Sequence, residues 1–247
     1  MGQTDAPRIP ALEKIQAIAF DVQGTCVDFY QPILRMGEDV NRAKGLDIDW
    51  AVLSSEWRDL YRMALDQVIT GQRTWLRVDR IYREALDTLL ERRDLSRFFA
   101  TAERDEMNRI WTRLDPWPDS IEGLARLRRR FVTSTLSNAG MAAVVGVVKH
   151  AGLPFDAILT AELAHSYKPS PSVYQLAVEY LGYRPDEILM VACHKYDLKA
   201  ARSFGMHTAF VPRPLEFGPN GKRDTTPETW FGLYADSFVA LARALGV

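Results

Sequence analysis

Short apolar runs rich in β-branched residues alternate along this chain with stretches in which apolar positions recur every three or four residues. The runs predict buried strands at Ile15–Val22, Phe131–Ser137, Ala157–Thr160, Ile188–Cys193 and Thr208–Pro212. Between the last four lie single amphipathic helices, "AAVVGVVKHAGL", "PSVYQLAVEYLGY" and "DLKAARSFGM", with Gly152, Gly182 and Gly205 where a helix would stop. Strand, helix, strand in repetition is the pattern of a parallel sheet covered on both faces. The gap from Phe29 to about Asp115 breaks that rhythm. It is helix-like throughout, as in "WAVLSSEWRDLYRMALDQVI", "LRVDRIYREALDTLLERR" and "ATAERDEMNRIWTRL". Roughly 85 residues is too many for one crossover, so a helical insertion is expected over the carboxyl edge of the sheet. The prolines of "DPWPDS" mark its return, "RPLEFGPNGKRDTTPE" reads as a polar loop, and "SFVALARALG" as a closing helix.

Composition adds little to this pattern but excludes several classes. At 247 residues and 28.0 kDa, one large α/β unit with a helical lobe buries enough surface to need no covalent staples. Two cysteines, Cys26 and Cys193, stand far apart in no disulfide or zinc-finger spacing. With no basic-then-apolar leader, no myristoylation pattern in "MGQTDA" and no uninterrupted apolar span, a cytoplasmic chain without a membrane partner is expected. The net charge is −1, and the basic clusters "ERRDLSR" and "RLRRRF" fall on helix-like periodicity, so no nucleic-acid partner is expected.

Chemistry is written at the strand ends. In open α/β sheets the working groups gather beyond the carboxyl ends of the strands. Asp21 ends the first strand, with a Gly24-Thr25 turn behind it; Ser137 and Asn138 end the second; Lys168 follows the third; Asp197 follows the fourth. An aspartate held by backbone N–H groups and the Thr25 hydroxyl, with one oxygen turned to a substrate, is a nucleophile. On the residues alone, a helix N-cap is the competing role for Asp21.

Four segments, "FDVQGT", "TLSNAG", "YKPSPSVY" and "VACHKYDLKAARSFG", resemble the four motifs of the haloacid dehalogenase superfamily, in order and across essentially the whole chain. Within it the chain looks most like the L-2-haloacid dehalogenases. The resemblance implies an α/β fold: a doubly wound, Rossmann-like core at 1–28 and 115–247, and a helical cap at 29–114 inserted after the first strand. It implies Asp21 as the attacking carboxylate and Arg58 of "SEWRDLY" as the arginine that meets halide or carboxylate. Ser137 and Asn138 would bind the substrate carboxylate, while Lys168 would offset the charge of Asp21 and, with Asp197, arrange the hydrolytic water. Tyr174 matches the tyrosine of the "VY" pair. His194 falls where relatives carry asparagine or histidine; it is a candidate to orient or deprotonate water, or a plain hydrogen-bonded histidine. His150 and His207 are expected to be structural.

The same comparison separates dehalogenase from phosphatase. Magnesium phosphatases of the superfamily carry a second aspartate two positions after the nucleophile and another acid in the fourth motif; here those places hold Gln23 and Cys193. A neutral thiol is a poor ligand for Mg²⁺, so no metal or other cofactor is expected, and a singly charged substrate fits better than a phosphate dianion. The expected reaction is hydrolytic removal of halide from a short (S)-2-haloalkanoic acid through an aspartyl ester, with inversion at C2. Alternatives are another metal-independent hydrolase acting on a strained ring or an activated C–X bond, a Mg²⁺ phosphatase, or a binding protein on the same scaffold. A homodimer is expected by resemblance. Three departures stand out: Gln23 replaces an aromatic of the halide pocket, Ser170 a common aspartate, and Lys195 adds a charge for which solvent exposure is the default.

Overall fold

The computed structural model describes residues 13–247. The amino-terminal segment on which the expectation of an unexported chain rests lies outside them. Six parallel strands form one sheet in the order β5-β4-β1-β6-β7-β8, with β1 at Ala17–Phe20, β4 at Val132–Ser137, β5 at Ala157–Thr160, β6 at Ile188–Ala192, β7 at His207–Phe210 and β8 at Leu233–Tyr234. All five predicted strands are present. β8 is additional: two residues are too short to stand out as an apolar run, and its register beside Ala209 and Phe210 comes from tertiary pairing.

β1 is central, and every one of its residues is inaccessible to solvent, which is why it reads as a continuous apolar run instead of an alternating one. Helices α6 (Met141–Ala151), α7 (Pro171–Leu181) and α8 (Lys195–Phe204) make the crossovers, each closed by the expected glycine in the left-handed region. Helix α5 (Ser120–Leu127) packs against α9 (Phe238–Ala244), whose Ser237 hydroxyl accepts the Ala240 N–H at its start. Among the described residues, no helix is long and apolar enough to cross a membrane.

Between β1 and β4 the chain leaves the sheet through β2 (Val27–Asp28), forms α1 (Tyr30–Lys44), α2 (Trp50–Ile69), α3 (Val78–Arg92) and α4 (Thr101–Asn108), and returns through β3 (Asp115–Pro116). β2 and β3 pair antiparallel, tying the outgoing strand to the incoming one. The third helical stretch shortens: α4 passes into a 3-10 turn at Arg109–Thr112, where Trp111 is buried against Phe29, Trp57 and Tyr82. That aromatic cluster joins the helices to the chain just beyond β2, and it supports Arg58, which lies over Phe29 and Trp111 and reaches the site described next.

Candidate active site

Asp21 sits one residue beyond β1, almost fully buried. It caps no helix, since α1 begins only at Tyr30. Three backbone N–H groups of the turn go elsewhere and none of them bonds to its carboxylate: Gly24 N–H goes to Val27, and Cys26 and Val27 N–H to Val22, closing the turn on itself. Three side chains hold the carboxylate instead. Thr25 Oγ1 donates to Oδ2 at 2.7 Å, His194 Nδ1 lies 2.9 Å from the same oxygen, and Lys168 Nζ donates to Oδ1 at 3.1 Å. Gly24 makes this turn possible. Its φ is +85°, and a Cβ there would fall 2.3 Å from Glu216 Oε1, so both conformation and space require glycine.

Lys168, 1 % exposed, is the central cation. Besides Asp21 it donates to Asp197 Oδ2 at 2.5 Å, and Tyr174 closes the other side of Asp197 with a hydroxyl bond to Oδ1 at 2.7 Å. Asn138 Oδ1 accepts the Lys168 backbone N–H at 2.7 Å, while Ser137 Oγ accepts Ala139 N–H at 3.1 Å. The four strand-end clusters predicted from sequence therefore meet. Burial works against ionisation of Asp21, but Lys168 and His194, with Thr25, hold its carboxyl well below the ordinary range. Asp197 is shifted the other way: burial raises its pKa, Lys168 counters and the Asp21 charge adds to the rise. Of the two carboxylates, Asp21 stays ionised and Asp197 takes up a proton more readily.

A cavity of about 310 Å³ opens beyond Asp21, lined on the sheet side by Gln23, Ser137, Asn138 and His194 and on the helical side by Arg58, Tyr61 and Arg62 of α2. Thr25, Lys168, Tyr174 and Asp197 do not line it; Thr25 and Lys168 touch the Asp21 carboxylate and Tyr174 and Asp197 stand next to Lys168. The Arg58 guanidinium packs over Phe29 at 4.7 Å and Tyr61 at 4.9 Å from the ring centres, and it donates to the Tyr82 hydroxyl and to Gln23 Oε1. Because a guanidinium only donates, Gln23 must turn its oxygen to Arg58. Its Nε2 is left buried without a partner.

Sequence reasoning missed Glu216. It lies in the segment read as a polar loop, yet it is fully buried, with Oε1 2.9 Å from His194 Nε2 and Oε2 2.6 Å from Arg223. The rule that picked out four strand ends also applies to the end of β7, and an acid between Leu215 and Phe217 was the available signal. Lys195 corrects another expectation: it is not solvent-exposed but half-buried, paired to Asp224 at 2.7 Å and Glu228 at 2.9 Å, so it pins this loop to the start of α8. His150 approaches Asp115 at 3.2 Å on the surface, away from the cavity. Cys193, His194 and Glu216 bring donor atoms within 4.8 Å of one another. Both ring nitrogens and both Glu216 oxygens are already engaged with Asp21, each other and Arg223, so this cluster is a hydrogen-bonded relay and not a ligand set.

In the comparison with known families, the model for haloacid dehalogenase-like hydrolases matches residues 15–205, a span that holds Asp21, Lys168 and Asp197. The chain belongs to this family. A crystallised L-2-haloacid dehalogenase is 37 % identical, with a TM-score of 0.89 over 94 % of this chain and 98 % of that one. A crystallised defluorinating L-2-haloacid dehalogenase is 32 % identical, with a TM-score of 0.92 over 98 % and 99 %. The (S)-2-haloacid dehalogenase of Pseudomonas sp. strain YL is 30 % identical over 82 % of this chain and 84 % of its own length. Around the cavity, Asp21, Asp197 and Glu216 face Lys168, Arg58, Arg223 and His194, and at the rim Arg62 pairs with Asp66 at 3.4 Å beside Asp59.

Proposed function

We propose that this haloacid dehalogenase-like hydrolase removes halide from short (S)-2-haloalkanoic acids by water, through an ester on Asp21 and without a metal. The observation that carries the reading is the placing of an ionised Asp21 and a caged Arg58 on one small cavity. Asp21 attacks C2 from the side opposite the halogen, and the C2–halogen bond breaks with its electrons on the leaving halide. Configuration at C2 inverts. Arg58 and Gln23 Nε2 receive the halide, since a desolvated cation held by aromatic rings stabilises a developing anion more strongly than one in water. Ser137 Oγ–H and the Asn138 amide, whose oxygen is already spent on Lys168, serve the substrate carboxylate. Water then adds to the ester carbonyl, giving up a proton to the Lys168–Asp197 pair. Tyr174 holds Asp197 in place.

The close similarity to named haloacid dehalogenases over nearly the full chain supports this reading. Segment 29–114 is the cap that supplies Arg58, and a cytoplasmic homodimer belongs to the same proposal. The decisive experiment follows halide release from chloroacetate, fluoroacetate and each enantiomer of 2-chloropropionate with strong chelator present. Release of halide from the (S)-enantiomer, giving the inverted 2-hydroxy acid, is expected. One turnover in heavy-oxygen water should place label in the Asp21 side chain. Label found only in product rejects the ester, and magnesium-dependent cleavage of an aryl phosphate without halide release favours a phosphatase.

A further inference from the structure

His194 stands between two carboxylates. Its Nδ1 lies 2.9 Å from Asp21 Oδ2 and its Nε2 2.9 Å from Glu216 Oε1. An ionised carboxylate only accepts, so both ring nitrogens donate and the ring is an imidazolium. The groups facing it agree. Burial acts to lower its pKa, but its neighbours Cys193, Glu216 and Asp21, the last two carboxylates, raise it well above the ordinary value. Arg223 and Arg58 stand behind Glu216, Lys168 is on the far oxygen of Asp21, and the Tyr196 ring lies 5.7 Å away. Thr25 is oriented by the same logic. Its oxygen accepts the Cys193 backbone N–H at 3.0 Å, which turns its hydroxyl proton to Asp21 Oδ2 at 2.7 Å. Two directed donors thus converge on Oδ2, whereas Oδ1 receives only Lys168, at 3.1 Å.

We infer that Asp21 attacks through Oδ1, and that Glu216 is a positioning residue that keeps His194 charged on Oδ2 so that His194 and Thr25 form an oxyanion site for hydrolysis of the ester. The inference rests on the aspartyl-ester reading above. When Oδ1 bonds to C2 and halide departs with the C2–halogen electron pair, Asp21 becomes a neutral ester and no longer supports the charge on His194. Glu216 is then the one carboxylate still hydrogen-bonded to the ring. Water adds to Cγ and gives one proton to the Lys168–Asp197 pair, while the carbonyl electron pair moves onto Oδ2. The donors at 2.7 and 2.9 Å lie in the range that stabilises an oxyanion. Collapse returns that pair, breaks Cγ–Oδ1 and sends the proton from the Lys168–Asp197 pair to the leaving oxygen. The 2-hydroxy acid carries away Oδ1, and the Asp21 acid, now holding the oxygen of water, loses its remaining proton to solvent. Without Glu216, His194 can lose a proton once the ester forms, and Nδ1 then turns a lone pair to the carbonyl oxygen.

The test is a rapid-quench single turnover with (S)-2-chloropropionate and chelator, following the Asp21 ester by intact mass from about pH 6 to pH 9. In Glu216→Gln, ester formation is expected to stay within a few-fold of wild type. Ester decay should slow by about 10²-fold at high pH, the loss typical for one oxyanion donor, with the defect shrinking toward pH 6 as the ring regains its proton. His194→Asn, a donor that does not titrate, should also slow decay but give a pH-flat defect. If Glu216→Gln does not fold, that flat profile against a sloping one in Glu216→Asp serves the same comparison. Ester decay that is unslowed, or slowed equally at every pH, overturns the inference. Absence of halide release by the wild type from every haloacid overturns the reading beneath it, so the two failures are distinguishable.

Discussion

Lys168→Met removes the one ammonium shared by Asp21 and Asp197 and replaces it with a side chain of similar length. With an effective dielectric constant of 20, a charge pair at 3.1 Å attracts by about 5 kcal/mol and one at 2.5 Å by about 7 kcal/mol. Much of this is offset by the cost of burying the ammonium, which methionine does not incur. What remains is the penalty of two carboxylates buried together without their cation, about 3–5 kcal/mol. For a chain of this size each kcal/mol moves Tm by about 2–4 °C, so Tm should fall by about 6–20 °C at neutral pH. Thermal unfolding followed by circular dichroism reads this directly. Adding Asp197→Asn removes one of the stranded charges, so the double variant should be less destabilised than the sum of the singles by about 0.5–3 kcal/mol. A Lys168→Met protein that melts within about 2 °C of wild type, or a double variant with strictly additive loss, would refute the reasoning that this lysine is the electrostatic keystone of the site.

Three further outcomes are expected. Gly24→Ala forces a strained backbone at φ +85° and pushes a methyl into Glu216; it should lower stability by about 1–3 kcal/mol and cut turnover, whereas an active variant with wild-type Tm would mean that the turn relaxes freely. Arg58→Lys keeps the charge but loses the planar contact with Phe29 and Tyr61 and the Nη1 hydrogen bonds to Tyr82 and Gln23, so halide release should fall by at least about 10²-fold with the fold intact by circular dichroism. Asp21 and Glu216 have folded pKa values below their ordinary ones; the stability they contribute is present above about pH 4.5 and is lost as pH falls toward their folded values. His194, shifted upward, contributes fully below about pH 6.5 and loses its share as pH rises through its raised value. Tm should therefore drop on acidification below about pH 4.5, and less steeply in Glu216→Gln; equal slopes in the two proteins would contradict this assignment.

Most of the scaffold is legible in the sequence because its signals are local. A fully covered parallel strand has to be apolar along its whole length, so β1, β4, β5, β6 and β7 announce themselves, and the helix-rich stretch after Phe29 is too long for a crossover. Asp21, Asn138, Lys168 and Asp197 follow from a rule of the fold, that strand ends on one edge meet, and that rule needs no coordinates. Three things depended on packing. The grip on Asp21 passed from backbone N–H groups to Lys168 and His194 because the turn consumes its own amides. Lys195 became a loop anchor because Asp224 and Glu228, thirty or so residues on, fold back over it. Glu216 sits in a segment whose composition is that of a solvated loop, and only the return of that loop across Gly24 buries it against His194. Sequence alone determined where the carboxylates and the lysine emerge from the sheet; the tertiary structure decided which oxygen each donor reaches, because hydrogen-bond direction depends on distances between residues far apart in the chain.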